Sequence, residues 1–152
     1  MTIRLLLAGA GLMALVAASP AHAKTQVCHA ASEAKIAALF DRWNASLKTG
    51  DAEKVADNYA PRSILLPTLS NTPRLTRDEK LDYFHHFLEK KPQGKIDRRM
   101  IQIGCNTAFD AGLYTFSFGD GSQVKARYTY TYGYQGGRWL ITSHHSSAMP
   151  EK

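Results

Sequence analysis

The sequence predicts one α+β domain, with N-terminal helices packed on one face of a strongly curved antiparallel sheet. Three observations carry this. Apolar residues in the first half recur at helical spacing, and from Lys95 onward the period changes to two. Glycine-centred turns at residues 119–121 and 136–137 then join the later segments as hairpins.

Ser32 is placed to cap a helix running to about Thr49, in which Ile36, Leu39, Phe40, Trp43 and Leu47 form one apolar stripe. Gly50 ends it. Asp51 caps a shorter helix expected through Val55 to Tyr59, and Pro61 stops that one. Ile64, Leu65 and Leu66 read as a short buried strand, followed by an irregular loop over 70–75. Thr76 and Glu79 have the spacing of a capping box, and the helix behind them carries Leu81, Phe84, Phe87 and Leu88 towards the core. Strands are expected over 96–104, 108–118, 123–134 and 139–146. In the third of these Tyr128, Tyr130, Tyr132 and Tyr134 alternate, so they stack on one face. Such an aromatic wall suits a pocket or a subunit interface.

Residues 1–23 read as a cleaved export signal. Arg4 precedes an apolar run over 5–18, which is short for a bilayer span, and Ala21-His22-Ala23 supplies the small residues of a cleavage site. Residues 24–152 remain, enough for one domain with its own core. The expected location is periplasmic or secreted, with no membrane association after cleavage. Cys28 and Cys105 are the only two cysteines; in an oxidising compartment they are most simply one bridge, with two buried free thiols as the alternative. The formal net charge is +6, but the basic residues are scattered apart from a cluster over 90–99 around a loop signal. No nucleic-acid-binding module is visible, and nucleic acid is not an expected partner.

Several blocks together resemble a known family: L-F-D-R-W-N at 39–44, Y-A-P at 59–61, S-N-T-P-R at 70–74, D-Y-F-H-H-F-L at 82–88, I-G-C-N-T-A at 103–108, G-G-R-W-L-I at 136–141 and H-H-S-S-A-M-P at 144–150. They resemble the association (hub) domain of calcium/calmodulin-dependent protein kinase II in its stand-alone, exported bacterial form, within the nuclear-transport-factor-2-like (SnoaL-like) superfamily. The resemblance implies a cone-shaped fold, a deep pocket between sheet and helices, and self-association as a homodimer or larger ring. It implies no kinase activity, because the Gly-rich loop, H-R-D and D-F-G motifs of a kinase are missing. Strand arginines of the kinase hub bind small carboxylates; the resemblance places Thr115, Tyr130 and Ser146 at those positions, so that property does not transfer.

The candidate ligand-binding residues are Tyr128, Tyr130, His144, Arg127 and Arg74, facing a small polar or anionic molecule. Strict alternation puts Arg127 on the face opposite Tyr128 and Tyr130 unless a bulge intervenes. His144 is the best single candidate for a catalytic base; Asp57 and Asp110 read as surface or turn residues. The pairs His85-His86 and His144-His145 diverge on any regular element, so no metal site is assigned to them, and no cofactor is expected. The expected function is an exported, non-catalytic, oligomerising domain with a small-molecule pocket. The alternatives are an isomerase- or cyclase-type enzyme using a pocket histidine, and a purely structural or partner-binding module.

Overall fold

The computed structural model describes residues 26–151; the expected export signal over 1–23 lies outside the described residues. The elements follow the order α1 (Glu33–Leu47), α2 (Ala52–Ala56), β1 (Tyr59–Leu66), α3 (Arg77–Glu89), β2 (Gln93–Ile103), β3 (Thr107–Ser117), β4 (Gln123–Gln135) and β5 (Arg138–Ala148). Helix α1 starts where Ser32 Oγ accepts from the Lys35 amide at 3.2 Å. The capping box of α3 is complete, with Thr76 Oγ1 accepting from the Glu79 amide and Glu79 Oε2 from the Thr76 amide.

The five strands form one sheet in the order β1-β5-β4-β3-β2. Strands β2 to β5 are linked antiparallel neighbours, as their hairpin signals require. Strand β1 differs: it pairs parallel to β5 along the sheet edge. It also begins at Tyr59, so α2 ends earlier than the sequence suggests, and Pro61 lies within a strand rather than after a helix. An edge strand tolerates proline because one side of its backbone needs no ladder partner.

The sheet curves through bulges. Between Ile96 and Arg98 the β2–β3 register shifts, with Asp97 the extra residue on β2, and a second shift falls opposite Thr131 and Tyr132, with Thr142 the extra residue on β5. Each extra residue bends its strand and increases the local twist. Gly112 faces the first bulge, where an added Cβ would lie only 1.9 Å from the Arg98 carbonyl oxygen. The β4–β5 turn has φ of 56° at Gly136 and 83° at Gly137, a left-handed pair that matches the twist of a tight hairpin.

Helices α1 and α3 close over the concave face. Ile36, Phe40, Trp43, Phe84 and the inward tyrosines Tyr114, Tyr128, Tyr130 and Tyr132 make one continuous core. Each large apolar side chain so buried contributes about 1.5–3 kcal/mol. Polar clamps fix the helix on the sheet. Asn44 exchanges two 2.8 Å hydrogen bonds with the Gly94 backbone, and the Arg42 guanidinium donates to the Trp139 carbonyl at 2.9 Å. A Cys28–Cys105 disulfide ties the N-terminal segment to the β2–β3 loop, and Asn106 accepts from the His29 amide beside it.

Candidate functional site

A cavity of about 360 Å³ lies between α1, α3, the concave sheet and the loop over 67–75. The loop is held at its neck by two backbone hydrogen bonds between Leu65 and Arg74, of 3.0 and 2.9 Å. Lys80 fastens it from below. Its buried ammonium donates to the carbonyls of Ser63, Leu75 and Thr76, and desolvation holds its pKa below the usual lysine value.

Phe84, Phe87, Phe116, Phe118 and Val124 give the cavity an apolar wall. Arg74 and the exposed side chains of His86 and Lys90 contribute the basic part of its lining, and among the described residues no carboxylate lines it. One patch is polar: Thr68, Tyr114, His144 and Ser146. Tyr114 OH donates to Ser146 Oγ at 2.5 Å, and Ser146 Oγ is also hydrogen-bonded to Thr68 Oγ1. Three hydroxyls from three elements thus meet at one serine. Burial pushes the Tyr114 phenol well above its ordinary pKa, so it keeps its proton and donates.

His144 completes the patch. Its Nδ1 is 2.8 Å from Tyr59 OH, Tyr130 stacks on its ring at 4.1 Å between centroids, and its buried Nε2 has no protein partner. Full burial lowers its pKa from 6.5 to about 3. The imidazole is therefore neutral at any physiological pH. A group with so low a pKa has little driving force as a general base, which weighs against that role for His144.

The other sequence candidates fall in different places. Tyr128 and Tyr130 share the inward face with His144, but they belong to the core behind the cavity and do not line it. Arg127 is exposed on the outer face, where its Nε donates to Ser147 Oγ at 3.2 Å; no bulge turns it inward. Arg74 does line the cavity, with its guanidinium 5.9 Å from the centre of the Tyr83 ring and its buried Nε without a partner. Asp110 corrects the sequence reading: it is fully buried in mid-strand, paired with Arg99 at 2.7 Å and accepting from Tyr128 OH at 2.7 Å. Asp57 is exposed and paired with Arg77 at 2.8 Å. Thr115 points outward to Asp97.

Sequence reasoning missed Thr68, Tyr59 and Tyr114. Tyr114 had a signal, since alternation along β3 puts it on the face of Ala108 and Phe116. Thr68 and Tyr59 had none, because their partners on β5 are 78 and 85 residues away. Among the described residues no group of three or more His, Cys, Asp or Glu side chains could hold a metal ion. No described helix is long and apolar enough to cross a membrane.

An open cone of helices on a curled sheet, with its cavity on the concave side, is the architecture of nuclear-transport-factor-2-like proteins. A protein of that class from Pseudomonas putida KT2440, of unknown function, superposes with a TM-score of 0.69 at 18% identity over 78% of this chain and 87% of its own. Residues 32–150 match the model of the calcium/calmodulin dependent protein kinase II association domain, and the chain belongs to that family. A structure from Xanthomonas campestris described as such an association domain is 47% identical, with a TM-score of 0.76 over 86% of this chain and 100% of its own. An iota-carbonic anhydrase from a cyanobacterium, complexed with bicarbonate, has a TM-score of 0.72 at 23% identity, over 86% of this chain and 100% of its own. A search of curated proteins finds no match.

Proposed function

We propose that this chain is an exported enzyme that binds bicarbonate and interconverts it with carbon dioxide in the cavity beside Ser146. The observation that carries the reading is the hydroxyl cluster of Thr68, Tyr114 and Ser146 next to an unpartnered His144 nitrogen, set in an otherwise apolar cavity. Bicarbonate offers three oxygens around one carbon, and a compact set of fixed donors is what such an anion needs. Carbon dioxide is apolar and suits the phenylalanine wall. The likeness to a bicarbonate-bound carbonic anhydrase supports this choice of substrate.

In hydration, a water held against the hydroxyls adds its oxygen to the carbon of carbon dioxide. One water proton passes through Ser146 and Thr68 to solvent, and bicarbonate is left. Thr68 is only half-buried, so it forms the solvent end of this chain. Tyr114 stays protonated throughout and orients Ser146. Export agrees with the reading of residues 1–23, and the Cys28–Cys105 bridge fits an oxidising compartment.

Family membership favours a second reading, a self-associating domain without catalysis. The two are separable by stopped-flow measurement of carbon dioxide hydration on the protein spanning residues 24–152. The enzyme reading expects a rate above buffer that falls about 100-fold in Ser146→Ala. A wild-type protein with no rate above buffer and no bicarbonate binding by calorimetry would sink it. Native mass spectrometry of the same sample reads oligomer size, for which a homodimer or larger assembly is expected.

A further inference from the structure

We propose that Tyr59 is a positioning residue: it fixes His144 as the tautomer whose Nε2 carries the proton, so that the ring presents a hydrogen-bond donor to the bound anion. The inference rests on the bicarbonate reading for its consequence, but its geometry stands alone.

Tyr59 lies at the start of the edge strand β1, and Ile141 is its register partner on β5. Its hydroxyl reaches His144 Nδ1 at 2.8 Å, and the Trp43 indole N–H, which can only donate, is also set against it. A neutral imidazole has one N–H and one bare nitrogen. If Nδ1 carried the proton, it would donate to the Tyr59 oxygen, and the phenol hydrogen would be buried without an acceptor. If Nδ1 is bare, it accepts the phenol hydrogen and only Nε2–H is left without a protein partner, against two unmet groups, the phenol hydrogen and a bare Nε2, in the first arrangement. An unmade buried hydrogen bond costs about 1–3 kcal/mol, so the second arrangement dominates.

Two surroundings hold the choice. Burial raises the Tyr59 phenol well above its ordinary pKa, so its proton stays on oxygen. The His144 ring is clamped by Tyr130 stacked at 4.1 Å and by Trp43 edge-on at 5.3 Å, which opposes a ring flip. The remaining nitrogen, Nε2, is buried, lacks a protein partner, and belongs to a residue of the cavity wall. With its proton fixed there, it can donate to an anionic oxygen and cannot accept from a cation.

The test is long-range ¹H–¹⁵N correlation on protein labelled at histidine nitrogen, which distinguishes protonated from bare ring nitrogens. Wild type is expected to show His144 as the Nε2–H form alone. Tyr59→Phe is expected to give a mixture of tautomers and to weaken bicarbonate binding by about tenfold. In a His144→Asn background, the same Tyr59→Phe change is expected to add no further loss. A wild-type Nδ1–H form, or an Nε2–H form unchanged in Tyr59→Phe, overturns the proposal whatever the activity. The expected tautomers in a protein that neither binds nor turns over bicarbonate would support the positioning role and refute the proposed function instead.

Discussion

At the scale of single residues, His144 and Asp110 show burial deciding chemistry in opposite ways. His144 is buried neutral, with its pKa lowered from 6.5 to about 3. Between those values the unfolded chain binds a proton that the folded chain does not. Stability therefore rises with pH across that window, is fully present above about 6.5, and is lost as pH falls. Unfolding free energies from urea titrations are expected to drop by up to about 1.4 kcal/mol per pH unit between about pH 6.5 and pH 4 from this residue, and His144→Asn should flatten the slope. The His144 ring signals themselves should not titrate between pH 5 and pH 8. Asp110 is buried in an ion pair with Arg99 at 2.7 Å, and it also accepts from the Tyr128 hydroxyl at 2.7 Å. Asp110→Ala removes the anion and strands both. A loss of about 3–5 kcal/mol is expected in equilibrium unfolding.

At the scale of elements, the bulge on β2 and the loop over 67–75 do most to shape the site. The bulge works because Gly112 lets the Arg98 carbonyl approach; a side chain there meets backbone, which cannot swing aside. Gly112→Ala is expected to cost about 1–3 kcal/mol by thermal or chemical unfolding, with a loss of cavity binding if the strand flattens. The loop brings Thr68 to Ser146, and its neck is closed by Leu65, Arg74 and the Lys80 ammonium. The sequence could show that a loop lay here, from its Ser-Asn-Thr-Pro run, but not that one of its hydroxyls completes a cluster on β5.

At the scale of the whole molecule, the Cys28–Cys105 bridge spans 77 residues and holds the N-terminal segment against the far end of the sheet. Reduction is expected to lower stability by about 2–5 kcal/mol, read as a fall in Tm with and without a thiol reductant. Local period, turn residues and short motifs were enough to give the helices, the hairpins, the inward tyrosine face and the family. The meeting of His144 and Tyr130 needed more than the hairpin turn: unbroken pairing from Gly136-Gly137 would set Ser143 opposite Tyr130, and the register shift beside Thr131 and Tyr132 puts His144 there instead. The parallel docking of β1 and the meeting of Thr68, Tyr114, Ser146 and the Tyr59–His144 pair were decided only in three dimensions. Those contacts join segments far apart in the chain, and they depend on how the sheet curls and which groups it shuts away from water. Local pattern carries neither quantity.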